Sequence, residues 1–201
     1  MKDPLLHLKG GPDSPSGRTA PLFFDDVSSL IVQVVEQAKR EGIRAVLCGG
    51  MAVQMYGFVR ATKDIDFIAE RPLNGMKKAG NLAFGGDIYE VSNERITTTV
   101  DWILREDEKK IIYDEVIKDL KTILGVPVIT PEWLVIVKIA ANRSKDDEDI
   151  AYLLGQDGLV DRSLIERHYR RLFNGAAFGY IDHFANLCLM ADFMKARNRP
   201  S

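Results

Sequence analysis

The chain has 201 residues, of which 46% are hydrophobic and 28% are charged, and its formal net charge at pH 7 is -2. A chain of this length suits one domain, or a core with a small helical extension, and it has enough apolar residues to bury a core. The balanced charge and a pI of about 6.0 exclude a strongly basic surface, so a nucleic-acid partner would have to bind a local patch.

Cysteine usage and hydropathy indicate the compartment. The two cysteines, Cys48 and Cys188, are far apart in apolar patterns, which favours buried free thiols over a disulfide. No window approaches the ~18 to 20 apolar residues of a membrane span, and the N-terminus lacks the apolar region of a signal peptide. We therefore expect a cytoplasmic protein with no membrane partner.

Composition divides the chain into three regions. Residues 1–20 are rich in Gly, Pro and Ser without periodicity, which predicts a flexible arm. We expect a core domain over residues 21–130 and a C-terminal helical region over residues 131–201.

The core begins with a helix and a strand. Apolar residues recur at helical spacing over 27–38, which predicts an amphipathic helix capped by Asp25 or Asp26 and ending near Gly42. The apolar run 43–48 predicts a buried strand.

Two glycines follow that strand. Gly49 and Gly50 precede a short helical pattern over 51–56. Without Cβ atoms, they would let phosphate oxygens approach backbone N–H groups. An ordinary tight turn is the alternative for the glycine pair taken alone.

A second apolar run carries two acids. Asp64 and Asp66 flank Ile65, and alternate residues of a strand share one face, so both carboxylates should point the same way. Like charges at this spacing raise each other's pKa unless a positive group lies between them, and a divalent metal ion is the usual one.

The middle of the chain predicts further strands. We expect a loop over 71–86, because of its Pro and Gly residues, and a hairpin formed by 87–91 and 96–104. Asp101 is the only carboxylate in the second hairpin strand, so it should face water, a partner or a metal ion. Segment 107–118 is ambiguous, whereas 121–129 predicts two strands around a glycine.

The remaining segments predict helices. Thr130 and Pro131 are typical of a helix start, and the helix should reach about residue 143. A second helix is expected over 145–154, and two amphipathic patterns after residue 160 predict two more. This order predicts an α+β fold, a mixed sheet flanked by helices and followed by a C-terminal helical extension.

Basic residues near these elements have two interpretations each. Lys138 is the sole cation in an apolar helical run, so its ammonium group either extends to the surface or points at a triphosphate. Lys145, about two helical turns further on, would share that face if the helix continued. Arg60 could contact a phosphate or form a salt bridge with Asp64. Four arginines in 162–171 suggest either an RNA-binding patch or a solvated helix face.

Two stretches together resemble a known family. Residues 49–66 have the pattern G-G-M-A-V-x-x-Y-G-x-x-R-x-T-x-D-I-D, and residues 138–150 read K-I-A-A-N-R-S-K-D-D-E-D-I. With a further Asp on a later strand, they resemble the active-site signature of the DNA polymerase beta-type nucleotidyltransferase superfamily. Within it they are most similar to the abortive-infection (AbiEii/AbiGii-type) nucleotidyltransferases, toxins of some bacterial toxin–antitoxin pairs. The resemblance covers roughly residues 25 to 155.

The resemblance implies a reaction and a metal. A hydroxyl acceptor would attack the α-phosphorus of a nucleoside triphosphate in line, releasing pyrophosphate, with two Mg²⁺ ions held by Asp64, Asp66 and Asp101. Asp101 would also accept the proton of the attacking hydroxyl.

It also implies binding residues and partners. The nucleotide-binding candidates are Gly49, Gly50, Arg60, Thr62, Lys138 and Lys145, with Asp146 and Asp149 as further site residues. For the two further acids, the alternative is an acidic first turn of the next helix. The acceptor could be RNA, specifically tRNA, and a cognate antitoxin could be a partner.

Two alternative functions remain open, and the sequence differs from the superfamily's motif at one position. The acceptor could instead be a small molecule, as for antibiotic nucleotidyltransferases, or the domain could bind a nucleotide or a protein without catalysis. Many superfamily members have Gly-Ser where this chain has Gly49-Gly50, so no hydroxyl from that position can contact the phosphates or the metal.

Overall fold

The computed structural model describes residues 22–173 and 178–197, so the predicted flexible arm lies outside the described residues. Helices and strands alternate at first, and helices follow. In chain order the elements are α1 (Phe24–Arg40), β1 (Ala45–Cys48), α2 (Gly49–Met55), β2 (Ile65–Ala69), β3 (Lys77–Asn81), β4 (Gly86–Ser92), β5 (Thr97–Ile103), α3 (Lys110–Val116), β6 (Leu120–Ile123), β7 (Val126–Ile129), α4 (Pro131–Ala141), α5 (Asp147–Gly155), α6 (Arg162–Phe173) and α7 (Phe178–Arg197).

The strands form one mixed sheet in the order β3-β4-β5-β2-β1-β7-β6. Strand β1 is antiparallel to β2 and parallel to β7, and β2 is parallel to β5. The predicted α+β fold, a mixed sheet flanked by helices with helices at its C-terminal side, is confirmed. The division of the chain at residue 130 stays a prediction.

Helix α1 buries one apolar stripe, as its spacing predicts, and Gly42 ends it with a φ of 63°. The predicted cap is wrong. Phe23 is the N-cap residue, and Asp25 and Asp26 lie in the first turn. The side chain of Gln54 in α2 accepts a hydrogen bond from the Phe24 N–H at 2.8 Å. A residue distant in sequence therefore provides a partner for one of the backbone N–H groups that the first turn of a helix leaves unpaired.

Part of the predicted 71–86 loop is a strand. Strand β3 is exposed at the edge of the sheet and pairs only with β4, so it needs no alternation of apolar residues. Two cross-strand ion pairs hold it, Lys77 with Glu90 at 2.6 Å and Lys78 with Asp87 at 2.5 Å. The β4–β5 hairpin and the β6–β7 pair are confirmed.

Helix α4 is buried over nearly its whole length. Thr130 caps it by accepting a bond from the Trp133 N–H at 3.4 Å. The helix ends at Ala141, because Asn142 takes a left-handed conformation, and a short 3-10 turn (Ser144–Asp146) leads into α5. The helix therefore ends two residues before the predicted end near residue 143.

The two tail helices are confirmed, and aromatic residues join them: Tyr169 of α6 stacks on Tyr180 of α7 with ring centroids 5.5 Å apart. Cys48 and Cys188 are free thiols, as predicted, but only Cys48 is buried, and Cys188 is partly exposed. Within the described ranges, no helix combines the length and the hydropathy needed to cross a bilayer.

Candidate active site

Two acids lie side by side in the centre of the sheet. Asp66 of β2 is the register partner of Asp101 on the parallel strand β5, and of Cys48 at the end of β1. Register partners on neighbouring strands point to the same face of a sheet. Asp64 directly precedes β2 and lines the same cavity as Asp66.

Burial and neighbouring acids change the ionisation of Asp66 and Asp101. Burial, followed by the charge of Asp64, raises the pKa of Asp66. Burial also raises the pKa of Asp101 to about 6, and the charges of Asp66 and Asp64 add to this effect. The site therefore concentrates negative charge that nearby side chains do not fully neutralise.

These acids do not form a ready-made metal cage. Within residues 22–173 and 178–197, no group of three or more His, Cys, Asp or Glu side chains is placed to hold a metal ion directly. The donor chemistry nevertheless fits Mg²⁺, because carboxylate oxygens are its preferred protein ligands and a few of them suffice when water and phosphate supply the rest.

A cavity of about 400 Å³ adjoins the acids. Its lining contains all six predicted nucleotide-binding residues and two additional cations, Lys63 and Arg143, but neither Asp101 nor Asp149. The lining residues are Gly49, Gly50, Arg60, Ala61, Thr62, Lys63, Asp64, Asp66, Lys138, Arg143, Lys145 and Asp146. A larger cavity of about 550 Å³, lined by α5, α7 and Phe58, contains none of the predicted residues.

Close contacts leave no room for a side chain at either glycine. A Cβ at Gly49 would lie 1.9 Å from Asp66 Oδ2, and the φ of Gly49 is +62°. A Cβ at Gly50 would lie 2.6 Å from Thr62 Oγ1. The glycine pair therefore lets the side chains of Asp66 and Thr62 pack directly on the first turn of α2.

Beside the cavity, buried acids and cations form an ion-pair network. Lys138 Nζ donates to Asp146 Oδ1 at 2.8 Å and to Asp149 Oδ2 at 2.7 Å. Arg60 donates from Nη2 to Asp149 Oδ2 at 2.8 Å, and Arg143 donates from Nε to Asp146 Oδ2 at 2.6 Å. The side chains of Asp146, Asp149 and Lys138 are at most 2% exposed.

The network holds more cations than acids. Burial by itself would raise the pKa of Asp146, but the hydrogen bond from Arg143 and the charge of Lys138 outweigh it and lower that pKa. Three cations share two carboxylates, so the network keeps a net positive charge at the wall of the cavity.

Several sequence interpretations change here. The ammonium group of Lys138 does not reach the surface, because two buried acids bind it. Arg60 pairs with Asp149 instead of Asp64. Asp149 lies in the first turn of α5 and Asp146 directly precedes that helix, as the alternative predicts, but both side chains are buried and bind Lys138.

Lys145 and Lys63 keep an exposed position on the cavity. Neither forms an ion pair with any residue in the described part of the chain. Sequence reasoning missed Arg143 as a site residue, although its place between Lys138 and Lys145 in the second motif was an available signal.

The arginines of α6 are paired with carboxylates. Arg162 contacts Asp192, Arg167 contacts Asp161, Arg170 approaches Glu166 and Arg171 contacts Glu115. This pairing is typical of a solvated helix face, the second of the two interpretations.

Comparisons with known proteins complete the description. No family model matches the chain, and no curated protein sequence matches it. An antigenic nucleotidyltransferase-like protein from Paracoccidioides brasiliensis is similar in structure, with 16% identity and a TM-score of 0.49 over 65% of this chain and 75% of that one. A candidate nucleotidyltransferase from H. pylori has 13% identity and a TM-score of 0.47 over 86% of this chain and 94% of that one. Likeness at this level concerns the course of the backbone and assigns neither activity nor residues.

Proposed function

We propose that this cavity transfers a nucleoside monophosphate from a nucleoside triphosphate to a hydroxyl acceptor, with Mg²⁺. The observation that carries the proposal is the pairing of Asp66 with Asp101 on parallel strands, with Asp64 beside them, at a cavity whose other wall is cationic. An acidic wall opposite a basic wall suits a metal-bound polyphosphate, because phosphate oxygens and metal ions require charges of opposite sign.

The acidic wall would hold the metal. Asp64, Asp66 and Asp101 are the residues that would bind it. When bound, Mg²⁺ would neutralise phosphate charge and lower the pKa of the attacking hydroxyl. Without a cation, the same carboxylates would repel a triphosphate.

The basic wall would position the phosphates. Lys63 and Lys145 are exposed, lack ion-pair partners among the described residues and line the cavity, so their ammonium groups are available to phosphate oxygens. Arg143 is 52% exposed despite its bond to Asp146 and can extend the same surface. Lys138 and Arg60 act mainly through the network that fixes this wall.

Asp101 suits the role of general base. With a pKa of about 6 it is mostly ionised at neutral pH, yet it is basic enough to accept a proton from an attacking hydroxyl. Its carboxylate neighbours Asp66, so a proton would leave the acceptor beside the bound phosphate.

For the acceptor we propose RNA, tRNA included, with the chain acting as a toxin that a cognate antitoxin restrains. Support for this choice is the sequence resemblance alone. A small hydroxylated acceptor is the second candidate, favoured by the paired arginines of α6 and by the pI of about 6.0.

Label transfer tests the proposal. The purified chain is incubated with Mg²⁺, each triphosphate labelled at the α-phosphate, and either total RNA or a set of small hydroxylated acceptors. We expect label in an acceptor, and none when the label is at the γ-phosphate.

Three variants accompany the assay. Asp66→Asn and Asp101→Asn should abolish transfer, and at neutral pH each should melt at or above the temperature of the wild type, because the amide replaces a carboxylate whose pKa the site raises. Asp114→Asn is the control, because Asp114 is exposed on α3 and pairs with Lys110. Undiminished transfer in both site variants would refute the proposal, and nucleotide binding without transfer would indicate a non-catalytic domain.

A further inference from the structure

The last helix carries an exposed apolar patch. The patch consists of Leu189, Met190, Phe193 and Met194, which lie within two turns of α7. Leu189 is 69% exposed and Phe193 is 63% exposed. Elsewhere in the described part of the chain, exposed large apolar side chains are scattered over α1, α3, β6 and the loops, as is normal for a protein surface. A contiguous patch instead indicates a surface that binds a partner.

The centre of the patch points away from the core. Helix α7 packs on the rest of the chain through Phe184, Leu187 and Ala191, which are buried. With about 3.6 residues per turn, Leu189 and Phe193 project from the opposite side of the helix. A line of exposed residues with alternating steps of four and three contains them both: Asp182, Asn186, Leu189, Phe193 and Ala196. This spacing presents one stripe to a second helix.

The charges at the two ends of the stripe are opposite. Asp182 lies at the N-terminal end, and Arg197 lies at the C-terminal end, with its guanidinium carbon 5.8 Å from the centre of the Phe193 ring. Neither Asp182 nor Arg197 forms an ion pair with any residue of 22–173 or 178–197. Two such helices placed antiparallel would set Asp182 of each copy near Arg197 of the other, whereas parallel helices would set like charges together. The stripe is therefore self-complementary in charge when the helices run antiparallel.

The sizes of the side chains are also complementary in that arrangement. The N-terminal half of the exposed face has Ala185 and Asn186, and the C-terminal half has Leu189 and Phe193. Antiparallel helices that cross between Leu189 and Met190 place the Phe193 ring of each copy opposite Ala185 and Asn186 of the other. Large side chains then face smaller ones, which lets the two helices approach closely.

We infer that α7 binds α7 of a second copy of this chain, antiparallel about a two-fold axis. Phe193 of each copy packs on Ala185 and Asn186 of the other, and Asp182 of each copy pairs with Arg197 of the other. The inference is independent of the proposed function, because none of these residues lines the cavity beside the acids. A contact between two helices is small, so the dimer is weak, with a Kd on the order of 10 μM.

Sedimentation equilibrium over a range of protein concentrations tests the apolar contact. Leu189→Gln and Phe193→Gln should each raise the dissociation constant at least about 10-fold, because a symmetric dimer loses the buried apolar side chain twice. Leu124→Gln is the matched control, since Leu124 is 81% exposed on the turn between β6 and β7, and it should dimerise as the wild type does. At low protein concentration all three variants should keep the melting temperature of the wild type, because the replaced side chains are exposed.

Exchange of charges tests the orientation of the helices. Asp182→Arg brings two cations together at each end of the antiparallel contact, and Arg197→Asp brings two anions together, so each variant alone should dimerise more weakly than the wild type. An equal mixture of the two variants should form a heterodimer about as stable as the wild-type dimer, because each end then pairs a cation with an anion. In a parallel pair of helices, the wild type already has like charges together, so neither variant alone would dimerise more weakly.

Two results would overturn the inference. The first is a wild type that sediments as a monomer at every concentration up to about 1 mM, a hundred times the expected Kd. The second is a dimer that Leu189→Gln, Phe193→Gln and the charge variants leave unchanged, since the contact would then lie on another surface. Neither result bears on nucleotide transfer, so the proposed function stands or falls separately.

Discussion

The ionisation of Asp101 should make the free energy of unfolding depend on pH. Its pKa rises from 3.8 to about 6 on folding, so the folded chain binds this proton more tightly than the unfolded chain does. The protonated acid therefore stabilises the fold fully below about pH 4, and that stabilisation is lost as the pH rises through about 6.

Calorimetry without divalent ions tests whether stability falls as the pH rises. Raising the pH from about 4 to about 7 should lower the melting temperature of the wild type more than that of Asp101→Asn, which has no titrating group at this position. Parallel pH profiles of the two proteins would show that burial and the neighbouring acids do not raise the pKa of Asp101 on folding.

Gly49 permits a second test at the scale of a residue. In Gly49→Ala, the new Cβ would meet the Asp66 carboxylate and the backbone would keep a left-handed φ, which costs about 1 to 2 kcal/mol. We expect a loss of stability beyond that cost and a loss of nucleotide transfer, because Asp66 must move.

Gly42 provides the matched control. It has a similar φ of +63°, and nothing lies within 4 Å of the Cβ position built on it. Gly42→Ala should therefore lose only the stability that the left-handed φ costs, measured by urea unfolding, which is less than Gly49→Ala loses, and it should keep its transfer activity. Equal activity of the two variants would mean that the contact between Gly49 and Asp66 has no functional consequence.

At the scale of elements, the ion-pair network connects α4, α5 and the segment before β2. Replacing Asp149 by Ala would leave Lys138 and Arg60 short of a buried counter-ion, which costs about 3 to 5 kcal/mol. Urea unfolding should show this loss. Asp147→Ala, in the first turn of the same helix, should cost only a few tenths of a kcal/mol. Similar small losses in both variants would contradict the role of the network.

Local patterns predicted most elements but could not predict this network. The hairpin, the Thr130 cap and the paired aspartates depend on residues close in sequence, and the structure confirms the first two. Arg60 and Asp149, in contrast, are 89 positions apart, and only the packing of α5 behind the cavity brings them together. Strand β3 escaped prediction because an exposed edge strand needs no apolar alternation.

At the scale of the whole molecule, the sheet brings separate parts of the chain to one cavity. Strands β1, β2 and β5 supply the turn and the acids, while α4 and the residues after it supply cations. The sequence resemblance indicated these groups, and the register of β2 with β5 places Asp66 beside Asp101. That the described residues form no closed metal cage was not predictable, because this depends on side-chain conformations that repulsion between carboxylates influences.

Binding of a nucleotide in the cavity should raise the melting temperature of the folded chain. A triphosphate with Mg²⁺ at about 100 times its Kd contributes about 2.7 kcal/mol, which corresponds to roughly 5 to 10 °C in melting temperature for a domain of this size. Lys145→Ala should reduce that shift without changing the melting temperature of the free protein, because Lys145 is exposed and lacks an ion-pair partner in the described ranges. A full shift in this variant would exclude Lys145 from phosphate binding.

The central claim is that acids from two strands bind one divalent ion together. Titration with Mn²⁺, followed through the electron paramagnetic resonance signal of the free ion and carried out with a non-hydrolysable triphosphate, measures this directly. We predict tight binding by the wild type and strongly weakened binding by both Asp66→Asn and Asp101→Asn, with Asp114→Asn unchanged. Wild-type affinity in Asp101→Asn would contradict the claim, since β5 would then contribute nothing to the metal site.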